Sequence, residues 1–143
     1  GAVDVAYCIA ASADPSVFTR AEGNDNAGDL RDSLADSPAC KVAQRLIGDY
    51  HTHLLRAFVA CGAAADRDAA AALLPAEVFQ VQFEWAWIDL TRCVVGDQWG
   101  GITPDVLKGR RGQMNFNAYN KAIEMAGVLL EVADVYLRRR EGT

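Results

Sequence analysis

Apolar residues recur with helical spacing along most of this chain, and the clearest run lies between Phe79 and Gly101. Phe79, Phe83, Ala86, Trp87, Leu90, Cys93 and Val94 share the register of a single helix face. Gln80, Gln82, Glu84, Asp89 and Arg92 interrupt the run, while Val81, Trp85, Ile88 and Val95 carry apolar character round its sides. The pattern predicts a central helix over Pro75–Val95, packed on more than one side. Gly96 is expected to close it in the left-handed conformation, and Gly100, Gly101 and Pro104 oppose its resumption.

Three further helices follow from the same periodicity. A short one is expected near Asp4–Ala11, with Asp4 charging its first turn and Pro15 redirecting the chain. Ser37-Pro38 is a helix start, and Val42, Leu46, Ile47, Tyr50, Leu54, Phe58 and Cys61 continue a stripe to Gly62, which predicts a helix over Ser37–Cys61. The last strong pattern predicts a helix over Asn117–Arg139. Its buried face is read as Tyr119, Ala122, Ile123, Ala126, Leu129, Leu130, Ala133, Tyr136 and Leu137, with Arg138, Arg139 and Arg140 complementing the dipole at its end. Asp66-Arg67-Asp68 opens a short Ala-rich helix that stops at Pro75. Ile102 to Gly112 reads as a short helix or turn whose Lys108, Arg110 and Arg111 form a solvated face or pair with nearby acids.

Between these elements, residues 20–37 are polar, including Asn24, Asp25, Asn26 and Asp29. They predict a solvated loop, long enough to be an insertion or a site element. A calcium loop is disfavoured, because the alternating ligands and terminal Glu are missing.

Composition narrows the class. Of 143 residues, 51% are apolar, mostly Ala, Leu and Val, which favours one all-α domain over residues 1–143, an irregular helical bundle. The net charge of −5 offers no basic footprint for nucleic acid or an anionic membrane. No apolar run approaches a membrane span and no signal peptide is evident, so a cytoplasmic protein is expected. Cys8, Cys40, Cys61 and Cys93 form no Cys-x-x-Cys pair and read as reduced, buried thiols. His51 and His53 point to different sides of a helix, and no Glu-x-x-His pair occurs, so no metal site is expected.

Two segments carry a resemblance. Residues 1–15, Gly-Ala-Val-Asp-Val-Ala-Tyr-Cys-Ile-Ala-Ala-Ser-Ala-Asp-Pro, look like the Gly-x-x-x-Asp-Leu-Ala-Tyr-Phe segment of the aminoglycoside-phosphotransferase-like kinases. The closer branch includes the ecdysteroid-kinase-like and choline-kinase-like proteins. Leu46 to Gly62 resembles the helix that follows, of shape Leu-Leu-x-x-Tyr-(His)-x-x-Leu-x-x-x-Gly, and Asp89 to Trp99 has a flavour of the same branch. The resemblance implies the C-terminal helical subdomain of a protein-kinase-like fold. It also implies that ATP and magnesium serve the complete protein, with a small-molecule hydroxyl as acceptor. Asp4 matches the residue that braces the catalytic loop.

The family's His-Gly-Asp-x-x-x-x-Asn loop, its magnesium-binding Asp and a Gly-rich phosphate loop do not occur in this sequence. The simplest account is a fragment, inactive alone, with no catalytic residue and no cofactor of its own. Glu84, Trp87, Asp89 and Trp99 are the candidate acceptor pocket; the acids either neutralise a cationic acceptor or are ordinary surface charges. The competing class is a stand-alone helical interaction module. The resemblance further predicts Asp4 at the surface, bordered by an apolar region around Val3, Val5 and Ala6.

Overall fold

The computed structural model describes residues 1–19, 37–114 and 117–142. The expected polar loop lies, but for Ser37, outside the described residues. Every regular element is helical: α1 Ala2–Ser12, α2 Ser16–Thr19, α3 Pro38–Ala60, α4 Arg67–Leu73, α5 Ala76–Thr91, α6 Pro104–Arg110, α7 Ala118–Lys121 and α8 Ile123–Glu141. The fold is all-α.

Local chemistry sets the starts. Ser37 Oγ accepts from Cys40 N to open α3, with Pro38 in the first turn, and Asp66 Oδ1 accepts from Ala69 N at 2.8 Å to open α4. Gly62 and Gly142 follow α3 and α8 with φ of 76° and 73°, the left-handed closure that glycine permits.

Helix α5 sits at the centre, with α1 and α8 against it and α3 in contact with both α5 and α8. Phe79, Phe83, Ala86, Trp87 and Val94 from the predicted face are buried. Phe83 lies between Trp87 and Tyr136 of α8, with ring centroids 5.6 and 6.4 Å away. Trp85 and Val81 are exposed, so α5 is covered on fewer sides than its composition suggests. A smaller apolar cluster of Leu55, Ala64 and Ala70 joins α3 to α4.

Two predicted helix boundaries are corrected. Gly96 does not close α5: the backbone widens into a π-helical stretch over Arg92–Gln98, and Trp99 N bonds Val94 O, five residues back. The widening begins where Thr91 Oγ1 reaches back to Trp87 O at 2.8 Å. It ends where Trp99 Nε1 donates to Tyr119 O at 2.8 Å. These anchors hold the wide turn with Val94 inside the core.

The helix expected from Asn117 onward is broken at Ala122, whose backbone is extended with φ −125° and ψ 115°. A continuous helix would use the carbonyls of Tyr119 and Asn120 for the N–H groups of Ile123 and Glu124. Instead Trp99 Nε1 takes the first and Arg110 Nη1 the second, at 3.3 Å. Beyond the break, Ala126, Leu129, Ala133 and Tyr136 of the predicted face are buried, whereas Ile123, Leu130 and Leu137, at one edge of that face, are exposed. The thiols are also corrected: all four are free, but only Cys40 is buried, while Cys8 and Cys61 are exposed.

Candidate functional site

The densest polar arrangement lies where α3, α5 and α8 meet. Glu84 of α5 is buried. Its Oε1 accepts from Gln80 Nε2 at 3.1 Å, one turn earlier, and its Oε2 accepts from Arg140 Nη2 at 2.9 Å. Arg139 Nη1 stands 3.7 Å from Oε1. Arg140 stacks 4.4 Å from the Trp85 ring centroid, so its guanidinium covers an exposed indole while neutralising Glu84. Arg139 turns the other way, towards Cys40 and the Tyr136 ring. Gln44, with its amide oxygen turned inward, accepts from both terminal nitrogens of Arg139 at 2.7 and 2.8 Å. Nearby, Ser37 Oγ donates to Glu131 Oε1, fastening the start of α3 to α8.

Arg139 and Arg140 are consecutive, which puts them about 100° apart on the helix. That angle sends one guanidinium to α3 and the other to α5 while both approach the same carboxylate. Burial pushes the Cys40 thiol above its ordinary value, Arg139 opposes the shift, and Glu84 and Glu131 add to it. Burial likewise pushes the Tyr136 phenol upward, with Cys40 and Glu84 acting in the same direction. The Tyr136 hydroxyl is fully enclosed and has no well-formed hydrogen bond. Cys40 and Tyr136 therefore remain protonated at neutral pH, and Glu84 is paired with two arginines. The cluster ties three helices together and offers no free nucleophile or base.

The four residues expected to form an acceptor pocket are not brought to one opening. Trp87 is wholly buried, and its indole N–H donates to Leu129 O at 3.2 Å. Asp89 lies about 200° round the helix from Trp87; it is exposed and holds Arg92 through Nε and Nη2 at 3.2 and 3.0 Å. Trp99 is half-buried against Tyr119. Glu84 faces the two arginines. A shallow groove of about 350 Å³ lies between α6 and the start of α8, lined by Pro104, Leu107, Lys108, Arg111 and Ile123, and includes none of the four. Among the described residues no three His, Cys, Asp or Glu side chains form a group able to hold a metal ion.

No protein-family model, curated protein or solved structure matches the chain.

Asp4 stands apart from the cluster. It lies in the first turn of α1, exposed, and its carboxylate accepts from the Gly1 nitrogen. That amino group holds the carboxyl below its ordinary value. Val3 beside it is exposed, whereas Val5 and Ala6 are buried, so the apolar border expected around Asp4 is narrower than three residues. At the same end of the molecule Asn117 Nδ2 donates to the hydroxyls of Tyr7 and Tyr119 at 3.0 and 2.9 Å, fastening α1 to α7.

Sequence reasoning missed Arg139 and Arg140 as partners of Glu84, and Gln44 and Cys40 as neighbours of Arg139. One signal was present: an acid on the apolar side of a helix, level with two consecutive arginines at the end of another. Pairing them requires the antiparallel packing of α5 and α8, which spacing within either helix does not carry.

Proposed function

We propose that the chain is the acceptor-side helical scaffold of a phosphotransferase similar to the aminoglycoside-phosphotransferase-like kinases. In this reading other parts of the polypeptide hold ATP and magnesium and carry the reacting groups. The acceptor is a small-molecule hydroxyl. The helices described here supply shape and rigidity.

The observation that carries the reading is the placement of Asp4. Its motif, Gly1 to Pro15, begins with an exposed carboxylate at a helix N-terminus, and the opposite face of that helix, through Val5, Ala6 and Ala10, is buried. Helix α1 lies against α5. The carboxylate faces solvent beside the Gly1 nitrogen, and in a longer polypeptide backbone N–H donors of a loop preceding α1 would reach it there. That is what a loop-bracing residue requires. Further support comes from Arg139 and Arg140, which pair with Glu84 and tie it into the packing of α5 against α8.

The test is the reading frame upstream of Gly1. A His-Gly-Asp-x-x-x-x-Asn loop followed by an Asp supports the proposal. A start codon adjoining Gly1 contradicts it and favours a stand-alone helical interaction module. One observation favours that second reading: the exposed apolar stripe on α8, at Ile123, Leu130 and Leu137.

A further inference from the structure

Ile123, Leu130 and Leu137 recur every seven residues on α8 and are 60%, 51% and 41% exposed. Seven residues are close to two helical turns, so the three form a straight apolar ridge. The ridge borders α5, because Arg140, three residues beyond Leu137 and on the neighbouring part of the helix surface, crosses to Val81, Glu84 and Trp85. Val81 and Trp85 are themselves 45% and 53% exposed, which widens the apolar surface across two helices.

Gly127 lies on the same side of α8, exposed and in mid-helix. Glycine there costs about 1 kcal/mol relative to alanine. A Cβ at this position would meet nothing within 4 Å, so no contact inside the chain calls for glycine. A second helix approaching closely beside Leu130 would use it.

We infer that this surface is the interface of a homodimer, in which a second copy lays its α8 antiparallel across the first with the two-fold axis at Leu130. The ridge is symmetric about that residue. Antiparallel pairing sets Ile123 against Leu137 of the second copy, Leu130 against its equivalent, and Leu137 against the second Ile123. A two-fold interface requires this self-complementarity.

Charge follows the same symmetry. Glu124 flanks the ridge at its start and Arg138 flanks it at its end, on the same side of the helix. In an antiparallel pair those flanks face each other, placing Glu124 of one copy within a turn of Arg138 of the other, twice. Within one chain Glu124 is only loosely held by Arg111, at 3.7 Å, and Arg138 engages Asp134 through Nε at 2.8 Å. A parallel pair would instead put this flank of each copy on opposite sides of the ridge and leave Glu124 and Arg138 without each other. The groove beside Ile123 lies where the side chain of Leu137 from the second copy would enter. This inference holds whether or not the chain serves a phosphotransferase.

The experiment is sedimentation equilibrium of the full chain, with three variants. The wild type is expected at twice 15.4 kDa in the micromolar range. Leu130→Glu places two carboxylates at the axis and is expected to give a monomer with unchanged helical circular dichroism, since the side chain is half exposed. Glu124→Arg is expected to raise the dimer dissociation constant at least about tenfold, and adding Arg138→Glu to restore it. A wild-type monomer overturns the inference, whatever other segment or protein covers the face. So does a dimer that survives Leu130→Glu, or a charge-swapped double variant no tighter than the single one.

Discussion

The indole N–H of Trp87 donates to the backbone carbonyl of Leu129 at 3.2 Å, and both side chains are wholly buried. Thr91 Oγ1 lies 3.2 Å from the same oxygen, one turn further along α5. This joins the two central helices at the level where α5 begins to widen. Trp87→Ala is expected to cost about 3–5 kcal/mol, because it removes the largest buried side chain and its contact with Phe83. Trp87→Phe should cost less, about 1–2 kcal/mol beyond any repacking, for the lost hydrogen bond. Urea denaturation followed by far-ultraviolet circular dichroism distinguishes the two. Equal costs would mean that the N–H is immaterial.

The Glu84 cluster predicts an asymmetry. Glu84→Leu leaves Arg139 and Arg140 close together without their shared carboxylate and is expected to destabilise by about 1–3 kcal/mol. Arg140→Ala removes one of two cations and strips the cover from Trp85, so part of its effect is lost packing. Its loss should be smaller, because Arg139 still faces Glu84. The same denaturation experiment ranks them, and an Arg140→Ala loss larger than that of Glu84→Leu would contradict the shared-carboxylate account.

Cys40 and Tyr136 predict how stability falls with alkali. Both groups are held above their ordinary values by burial. The unfolded chain therefore releases these protons at lower pH than the folded one, and stability present at neutral pH declines as pH rises. The decline begins near the ordinary thiol value, about 8.5, and steepens near the ordinary phenol value, about 10. Cys40→Ala should remove the earlier part of the slope. Tyr136→Phe should remove the later part and cost less than about 1 kcal/mol at pH 7, since the buried hydroxyl has no well-formed hydrogen bond. A pH series of denaturation midpoints reads both. A flat wild-type profile up to pH 10 contradicts the burial argument.

Thiol reactivity offers a separate check on the corrected core. Cys8 and Cys61 are exposed and Cys40 is buried with a raised thiol. A thiol reagent at pH 7.5 should modify Cys8 and Cys61 first and leave Cys40 unmodified until the protein unfolds. Mass spectrometry of partly labelled protein identifies the order, and early labelling of Cys40 would place it outside the core.

The sequence made most helices legible because their apolar spacing and caps are local. Ser37-Pro38, Asp66 and Gly62 mark ends by chemistry within one turn. The two misread boundaries have a common cause: long-range donors override local preference. Trp99 and Arg110 capture carbonyls of Tyr119 and Asn120 from 20 and 10 residues away. Nothing in the spacing from Asn117 onward reports that. The apolar stripe read on α8 is also too wide: Ala126, Leu129, Ala133 and Tyr136 are buried, but Ile123, Leu130 and Leu137 along its edge form an exposed ridge. Of the candidate pocket, the acidic and aromatic character was legible. The side each residue faces was not, because Trp87 and Asp89 project to opposite sides of α5.

The central claim is that these helices are a scaffold whose reacting groups lie elsewhere in the polypeptide. The direct measurement is magnesium-dependent phosphate transfer from ATP, compared between this 143-residue chain and a longer polypeptide that includes the upstream segment. The account predicts no turnover by the chain alone and turnover by the longer protein. It also predicts a kcat lowered about tenfold by Asp4→Ala in the longer protein, as loss of a supporting partner produces. Magnesium-dependent turnover by the chain alone, or a longer protein equally active with and without the Asp4 carboxylate, would contradict it.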